Sequence, residues 1–266
     1  MTEPTPTPEQ QAALDKIIQW RADPLSDPFF TLKGYAGTGK SFCITLYAKS
    51  PGVKTSRICF TAPTNKAVKV LKNYLDSNQI EARSATIYSL LGLSLQANGE
   101  VKEITAPEEP VDLSGFDLII VDEASMINRF LMSAIRDAQE EWGVRFLFMG
   151  DPAQLPPVGE ITSPVWTIDN HAELTTVMRY GNSMLDLATS IRKIVDHPFP
   201  SVKIESAPPV YRLKKPQWMD KAVENLELFK SGDAKIIAWR NVKVDEYNRF
   251  IREHIFGRKE SRTDLW

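Results

Sequence analysis

A glycine-rich segment that ends in a lysine and a serine, residues 34–41, has the residue types and spacing of a phosphate-binding loop. Glycines let backbone N–H groups close around a β-phosphate, and the helix expected after the loop adds its positive amino-terminal end. Lys40 is predicted to reach the β- and γ-phosphate oxygens, and Ser41 to bind Mg²⁺. A chance glycine-rich turn is the alternative, but the strand-like segment before the loop and the helical one after it favour a nucleotide site. The predicted nucleotide-binding residues of this loop are Gly37, Thr38, Gly39, Lys40 and Ser41.

Two acids and an amide follow apolar segments further along the chain. Asp122 and Glu123 come directly after Leu118–Val121, and Gln154 follows the apolar segment 144–149. At the carboxyl edge of a parallel sheet, Asp122 would complete the Mg²⁺ shell, and Glu123 would polarise a water for attack on the γ-phosphorus. Gln154 is a neutral amide that can contact both the γ-phosphate and the attacking water. The set predicts ATP hydrolysis with ATP and Mg²⁺ as cofactors. Without the phosphate-binding loop, a strand followed by a solvated acidic turn would be the preferred explanation of the acids, and with the loop it is the weaker one.

The elements that must position these residues are predicted from hydrophobic periodicity. Helical patterns alternate with short apolar strand patterns, which favours an α/β fold in which helices cover both faces of a parallel sheet. The predicted helices are 9–21, Asn65–Ser77 and 128–142, and the predicted strands are 29–32, 58–61, Leu118–Val121 and 144–149. After about residue 162, helical patterns at 184–195 and 217–230 and strand patterns at 210–213 and 235–239 predict the start of a second α/β unit.

The segment 92–115 interrupts this alternation. Apolar residues alternate weakly on both sides of Asn98 and Gly99, a pair that is typical of a tight hairpin turn. The sequence therefore predicts a small inserted hairpin, and a plain surface loop is the alternative.

The start of the helix predicted at Asn65–Ser77 is a candidate contact for nucleic acid, because a helix amino terminus offers free N–H donors to a phosphate. The candidate residues are Pro63, Thr64, Asn65 and Lys66. Lys66 also begins a series with Lys69 and Lys72 that would either line a groove or form a solvated helix face. The net charge of −2 gives no global signal for nucleic acid, so only local charge supports this interpretation.

Taken in order along the chain, these motifs resemble those of superfamily 1 DNA helicases, in particular the RecD-like and phage Dda-like branch. The matching segments are 34–41, 61–67, 86–91, 121–125 and 150–158. The resemblance implies a RecA-like P-loop NTPase fold and ATP-driven movement from 5′ to 3′ along single-stranded DNA, with separation of the duplex. It also implies that the insertion at 92–115 presents a wedge to duplex junctions, and it implies partners among replication, repair or recombination proteins.

Further site residues follow from the resemblance alone. Gln10 would hydrogen-bond the adenine base, and Arg179 would reach across from a second domain to the γ-phosphate. Thr86 and Tyr88 lie in one of the matching segments and are candidate DNA contacts, and Tyr88 could stack on a base. The chain departs from the family at Asn65 and Tyr88, where histidine is frequent. The catalytic set that the resemblance implies is Lys40, Glu123, Gln154 and Arg179.

Two domains are expected, a first RecA-like motor domain at 1–172 and an incomplete second one at 173–266. The late motifs that carry further DNA contacts in the family are not found before Trp266. An alternative function therefore stays open: a module or regulatory subunit that binds ATP and DNA but cannot unwind without a partner. A P-loop kinase is a third interpretation, but it leaves the segments 61–67 and 154–157 unexplained.

The remaining features predict a cytoplasmic protein. Cys43 and Cys59 stand in apolar contexts without metal or redox spacing, which predicts buried, reduced thiols. Residues 1–8 alternate threonine and proline, unlike a signal peptide, and no segment has the length and apolarity needed to cross a membrane.

Overall fold

The computed structural model describes residues 5–98, 101–105, 107, 111–178, 187, 190–191, 211–238 and 240–257. The chain divides into two compact units, residues 1–200 and 201–266. Among the described residues, no helix is both long and apolar enough to span a membrane.

The first unit is built on a six-stranded parallel sheet with the order β3-β2-β6-β7-β1-β8. These strands are β1 Phe29–Gly34, β2 Ile58–Ala62, β3 Arg83–Thr86, β6 Leu118–Val121, β7 Arg145–Gly150 and β8 His171–Leu174. The four predicted strands and the α/β class are confirmed, while β3 and β8 were not predicted. The predicted domain boundary between 172 and 173 lies within β8, which pairs with β1.

Helices cover both faces of the sheet. They are α1 Pro8–Ala22, α2 Lys40–Ala48, α3 Asn65–Ser77, α4 Ile87–Leu90 and α5 Arg129–Trp142. Because side chains alternate along a strand, Leu147 of β7 packs into the core beneath α1 and α2, whereas its neighbours Phe146 and Phe148 pack into the core beneath α5. The strands are therefore apolar on both faces, as expected for a buried parallel sheet.

Side chains from the preceding loops cap three of these helices. Thr7, Thr64 and Asn128 accept hydrogen bonds from backbone N–H groups in the first turns of α1, α3 and α5. Gly143, in the left-handed conformation, ends α5. These local signals explain why the helix boundaries predicted from the sequence lie close to those observed.

The predicted insertion is a hairpin. Strands β4 Ser94–Asn98 and β5 Val101–Thr105 pair in antiparallel register, with Asn98 opposite Val101. The hairpin prediction is confirmed and the alternative of a plain loop is wrong.

The second unit contains α6 Lys215–Glu224, α7 Leu226–Ser231 and α8 Asn241–Phe256. The helix predicted at 217–230 is interrupted at Asn225, and the helix predicted at 184–195 lies mostly outside the described residues. The strands predicted at 210–213 and 235–239 are wrong for the described residues 211–213 and 235–238, which form no strand. Ile237 is 94% exposed, so this apolar segment is not buried in a sheet as the prediction required.

Candidate nucleotide-binding site

A cleft of about 340 Å³ opens at the carboxyl edge of the sheet in the first unit. It brings together residues that are far apart in the sequence, because the loops after β1, β6 and β7 all leave the sheet at this edge. The predicted site residues that line it are Gly37, Gly39, Lys40, Ser41, Asp122, Glu123 and Gln154.

The phosphate-binding loop connects β1 to the first turn of α2. Gly37 and Gly39 have φ values of +84° and +92°, a backbone conformation that glycine adopts without a steric penalty. The Lys40 Nζ donates hydrogen bonds to the carbonyl oxygens of Gly34 and Tyr35, at 2.6 and 3.1 Å. Thr38 is buried, and its hydroxyl donates to the Tyr35 carbonyl at 2.9 Å. The loop is thus folded back on itself, and its lysine lies in the cleft.

The two acids sit where β6 ends. The backbone N–H of Glu123 donates to the Asp122 Oδ1 at 2.8 Å. Desolvation raises the pKa of Asp122 to about 6, and the neighbouring Glu123 carboxylate adds to the rise, while the Glu123 N–H and Lys40 oppose it. Glu123 itself has a φ of +54°, which is uncommon outside glycine. A residue held in this conformation costs free energy, and such residues are enriched at functional sites.

Asp151 links two parts of the cleft and was missed by the sequence reasoning. It is 4% exposed, its Oδ2 accepts the Ala36 N–H at 3.0 Å, and its Oδ1 accepts the Ala153 N–H at 2.9 Å. Its carbonyl accepts the N–H of Gln154 at 3.1 Å. One carboxylate therefore joins the phosphate loop to the turn that carries Gln154. A carboxylate directly after a buried strand was the signal that could have found it.

Gln10 lies against the phosphate loop. Its Nε2 donates to the Thr38 carbonyl at 3.0 Å, and its Oε1 accepts the Thr7 N–H at 3.0 Å within the cap of α1. An amide group has two N–H donors and two acceptor lone pairs, so these bonds use one of each. A Cβ built on Gly39 would lie 2.4 Å from this Nε2, which shows how closely the two segments approach.

The candidate DNA contacts lie at the same edge of the sheet, beyond β2 and β3. Ala62 and Thr86 are register partners at the ends of these adjacent strands, and Thr64 and Thr86 cap the helices that follow them. Thr64 is exposed and Thr86 partly buried. Pro63 is buried, Asn65 and Lys66 are exposed, and Tyr88 is partly buried. The exposure of Lys66, Lys69 and Lys72 fits both a groove and a solvated face.

Arg179 lies outside the described residues. Its neighbour Met178 is described, and the Met178 N–H donates to the Gly37 carbonyl at 2.8 Å. The chain that precedes Arg179 therefore touches the phosphate loop.

A parallel sheet with a glycine-rich loop after its first strand and paired acids in the same cleft defines a P-loop nucleotide-binding domain. The family described as an AAA domain (AAA_30) matches residues 5–196, and the chain belongs to it. Its relatives place it with superfamily 1 helicases of the RecD-like and Dda-like type, as the sequence motifs predicted.

Two curated relatives carry helicase names. The chain is 28% identical over 249 residues to the ATP-dependent DNA helicase dda of Enterobacteria phage T4, covering 85% of this chain and 52% of that protein. It is 29% identical over 234 residues to the ATP-dependent RecD2 DNA helicase of Deinococcus radiodurans, covering 86% and 27%. This chain thus spans about half the length of the first of these relatives and about a quarter of the second.

A solved structure shows the same fold. The Pif1 helicase from Bacteroides, solved in complex with ADP-AlF3 and single-stranded DNA, is 20% identical, with a TM-score of 0.53. The match covers 98% of this chain and 59% of the Pif1 chain. The RecA-like P-loop helicase fold expected from the sequence is thereby confirmed.

Proposed function

We propose that this chain is the nucleotide-hydrolysing part of an ATP-dependent DNA helicase motor that moves along single-stranded DNA, in the 5′ to 3′ direction that the resemblance of its motifs to the RecD-like and Dda-like branch implies. The observation that carries the proposal is the single cleft that brings Lys40, Glu123 and Gln154 together at the sheet edge beside the candidate DNA segments. A P-loop site alone fits many activities, whereas candidate contacts for a nucleotide and for a polynucleotide at one edge of the sheet support a DNA-dependent motor in particular.

The residues of the cleft fit a nucleotide with Mg²⁺. The loop offers backbone N–H groups at the start of α2, and the desolvated Asp122 is a carboxylate that a cation would stabilise in its charged form. Ser41 and Asp122 would hold the metal, which when bound would neutralise phosphate charge. When the nucleotide binds, the Lys40 Nζ would donate its hydrogen bonds to phosphate oxygens instead of to the two carbonyl oxygens of the loop. Glu123 would accept a proton from the attacking water, and Gln154 would orient that water.

A backbone link joins the acids to the candidate DNA segment. The Asp122 N–H donates to the Thr61 carbonyl at 2.8 Å, and the Thr61 hydroxyl donates to the Ile120 carbonyl at 3.0 Å. Three residues after Thr61, the chain reaches Thr64, which caps α3. A shift of Asp122 on nucleotide binding would therefore move the strand that ends at the candidate DNA contacts.

Several finer assignments belong to this proposal. Gln10 would read the base, and Arg179 would reach the γ-phosphate. The DNA-binding residues would be Pro63, Thr64, Asn65, Lys66, Thr86 and Tyr88. The partners would be single-stranded DNA, duplex junctions, and replication or recombination proteins. We place the motor in the cytoplasm because Cys43 and Cys59 are both buried and unpaired, as is usual in a reducing compartment.

The test is ATP hydrolysis by the 266-residue chain with and without oligo-dT. We expect DNA to stimulate turnover, Glu123→Gln to lower kcat at least about 100-fold while nucleotide still binds, and Lys40→Ala to abolish turnover. Full turnover in Lys40→Ala would refute the assigned site. Turnover that DNA does not change would refute the DNA-dependent motor and leave a domain that hydrolyses ATP without coupling to DNA.

The DNA candidates are tested in the same assay. The double variant Asn65→Ala with Lys66→Ala should raise the concentration of oligo-dT needed for half-maximal stimulation, because it removes donors from an exposed helix start, and it should leave DNA-free turnover unchanged. Lys16→Ala, an exposed lysine of α1, is the control. If both variants respond equally to DNA, this helix start is not the DNA contact.

A further inference from the structure

The residues that follow β8 are held by hydrogen bonds along a short stretch, the connecting segment, residues 175–178. Leu174, at the end of β8, is fully buried and pairs with Gly34. Directly after it, the Glu9 Oε1 accepts the Thr175 N–H at 2.8 Å and the Thr175 hydroxyl at 2.7 Å, and the Glu9 Oε2 accepts the Thr176 N–H at 3.1 Å. Both oxygens of one carboxylate are thus used on a segment 166 residues away in the sequence.

The other end of the connecting segment is tied to the phosphate loop. The Met178 N–H donates to the Gly37 carbonyl at 2.8 Å, so this carbonyl is turned toward Met178. The next carbonyl of the phosphate loop, that of Thr38, accepts a hydrogen bond from the Gln10 side-chain amide. Hydrogen bonds therefore join the start of α1, the phosphate loop and the connecting segment to one another. Two adjacent residues of α1 make its contacts: Glu9 bonds the connecting segment, and Gln10 bonds the phosphate loop.

The charge of Glu9 fits this arrangement. Partial burial tends to raise the pKa of Glu9, but the hydrogen bonds from Thr175 and Thr176 outweigh it and hold this pKa below its ordinary value. Glu9 also lies in the first turn of α1, where a negative charge is favourable. The carboxylate is therefore ionised at neutral pH and accepts charge-assisted bonds, which are stronger than neutral ones.

We propose that Glu9 is a positioning residue that fixes the connecting segment, and through Met178 the Gly37 carbonyl of the phosphate loop. This inference rests on the proposed function for its effect on catalysis, because the connecting segment leads directly into Arg179. Glu9 is not among the residues that line the cleft. It acts through the segment that it holds.

The first test does not depend on catalysis. Amide hydrogen exchange of the full chain, measured by NMR without nucleotide, should show faster exchange at Met178 in Glu9→Ala, by about tenfold if a hydrogen bond of ordinary strength is loosened. The carboxylate of Glu9 accepts hydrogen bonds from Thr175 and Thr176, so a purely local role would deprotect only these two residues. Unchanged exchange at Met178 would overturn the proposal. Glu173→Gln, an exposed carboxylate in β8, is the matched control.

The second test separates positioning from binding. Glu9→Gln keeps the side-chain length and should lower kcat for ATP hydrolysis by about tenfold with a much smaller change in nucleotide affinity, because small displacements of catalytic groups reduce turnover strongly. Thr175→Val removes one of the three hydrogen bonds that Glu9 accepts, so its effect should add little to that of Glu9→Gln. Equal losses in kcat and affinity, or additive effects, would overturn the proposal. If the parent chain does not turn over ATP, the proposed function fails, and the exchange experiment still decides the role of Glu9.

Discussion

The Asp151→Asn substitution should loosen the phosphate loop without changing the shape of the side chain. The carboxylate is 4% exposed and accepts one N–H on each oxygen, from Ala36 in the loop and from Ala153 in the following turn. An amide has only one acceptor oxygen. Whichever way it turns, the asparagine must point an N–H donor at one of the two backbone N–H groups.

The magnitude follows from these contacts. A hydrogen bond to a charged group contributes about 1.5–3 kcal/mol, and a buried N–H left without an acceptor costs about 1–3 kcal/mol. These two effects describe the same broken contact, so the free energy of unfolding should fall by about 2 kcal/mol. For a unit of this size, each kcal/mol lowers Tm by about 2–4 °C, and the expected decrease in Tm is about 4–8 °C.

Thermal unfolding with and without saturating MgATP checks this reasoning. Asp151→Asn should melt lower without nucleotide, and MgATP should raise its Tm by less than in the parent, since part of the binding free energy goes into refixing the loop. Asp169→Asn, which changes an exposed carboxylate, is the control. If Asp151→Asn melts within about 1 °C of the control, the two hydrogen bonds do not carry the assigned free energy.

Three further predictions concern the same unit. Gly39→Ala should weaken nucleotide binding, because its Cβ would lie 2.4 Å from the Gln10 Nε2 and would displace this amide from the Thr38 carbonyl of the phosphate loop. Gly52→Ala, also at positive φ but with open space around it, should bind normally in a nucleotide titration. The pKa of Asp122 is raised to about 6 in the folded state, so folding favours the protonated carboxyl group. Its contribution to the free energy of unfolding is therefore fully present below the unfolded pKa near 4. About 3 kcal/mol of this free energy is lost as pH rises from about 4 to 6. Urea unfolding of Asp122→Asn should lack this pH dependence. Burial raises the pKa of Cys43 to about 11 and of Cys59 to about 12, so neither thiol should react with a thiol reagent at pH 8 until the chain unfolds.

The main features of the site were predictable because strand ends and loop spacing locate backbone positions. The loop at 34–41, the acids after β6 and Gln154 after β7 follow parallel strands, and parallel strands deliver their carboxyl ends to one edge. Contacts between distant segments were not predictable. The bond from Asp151 to Ala36 joins residues 115 apart, and no periodicity in the sequence reports it.

The fold was predictable where apolar residues fill both faces of a strand, as in β6 and β7. The strands β3 and β8 were not predicted because they are short edge strands with few buried side chains: residues of β3 are exposed or half-buried, and β8 has two buried residues. The opposite error occurred in the second unit, where the apolar residues at 236–237 predicted a strand that is not observed. A short apolar segment does not by itself predict a strand, since its structure depends on whether other strands lie beside it.

The hydrogen bonds of the cleft also explain why the nucleotide site and its surroundings should respond as a unit. Asp151 holds the phosphate loop to the turn of Gln154, Asp122 holds the end of β6 to Thr61, and Met178 holds the connecting segment to Gly37. Each contact joins a backbone group of one segment to a second segment, so a shift of either segment would strain the hydrogen bond between them. A ligand alters a distant surface only through a difference in its contacts between two states. In this unit, the backbone contacts that would differ are those at Ala36, Thr61 and Gly37, and the substitutions at Asp151 and Glu9 test two of them separately.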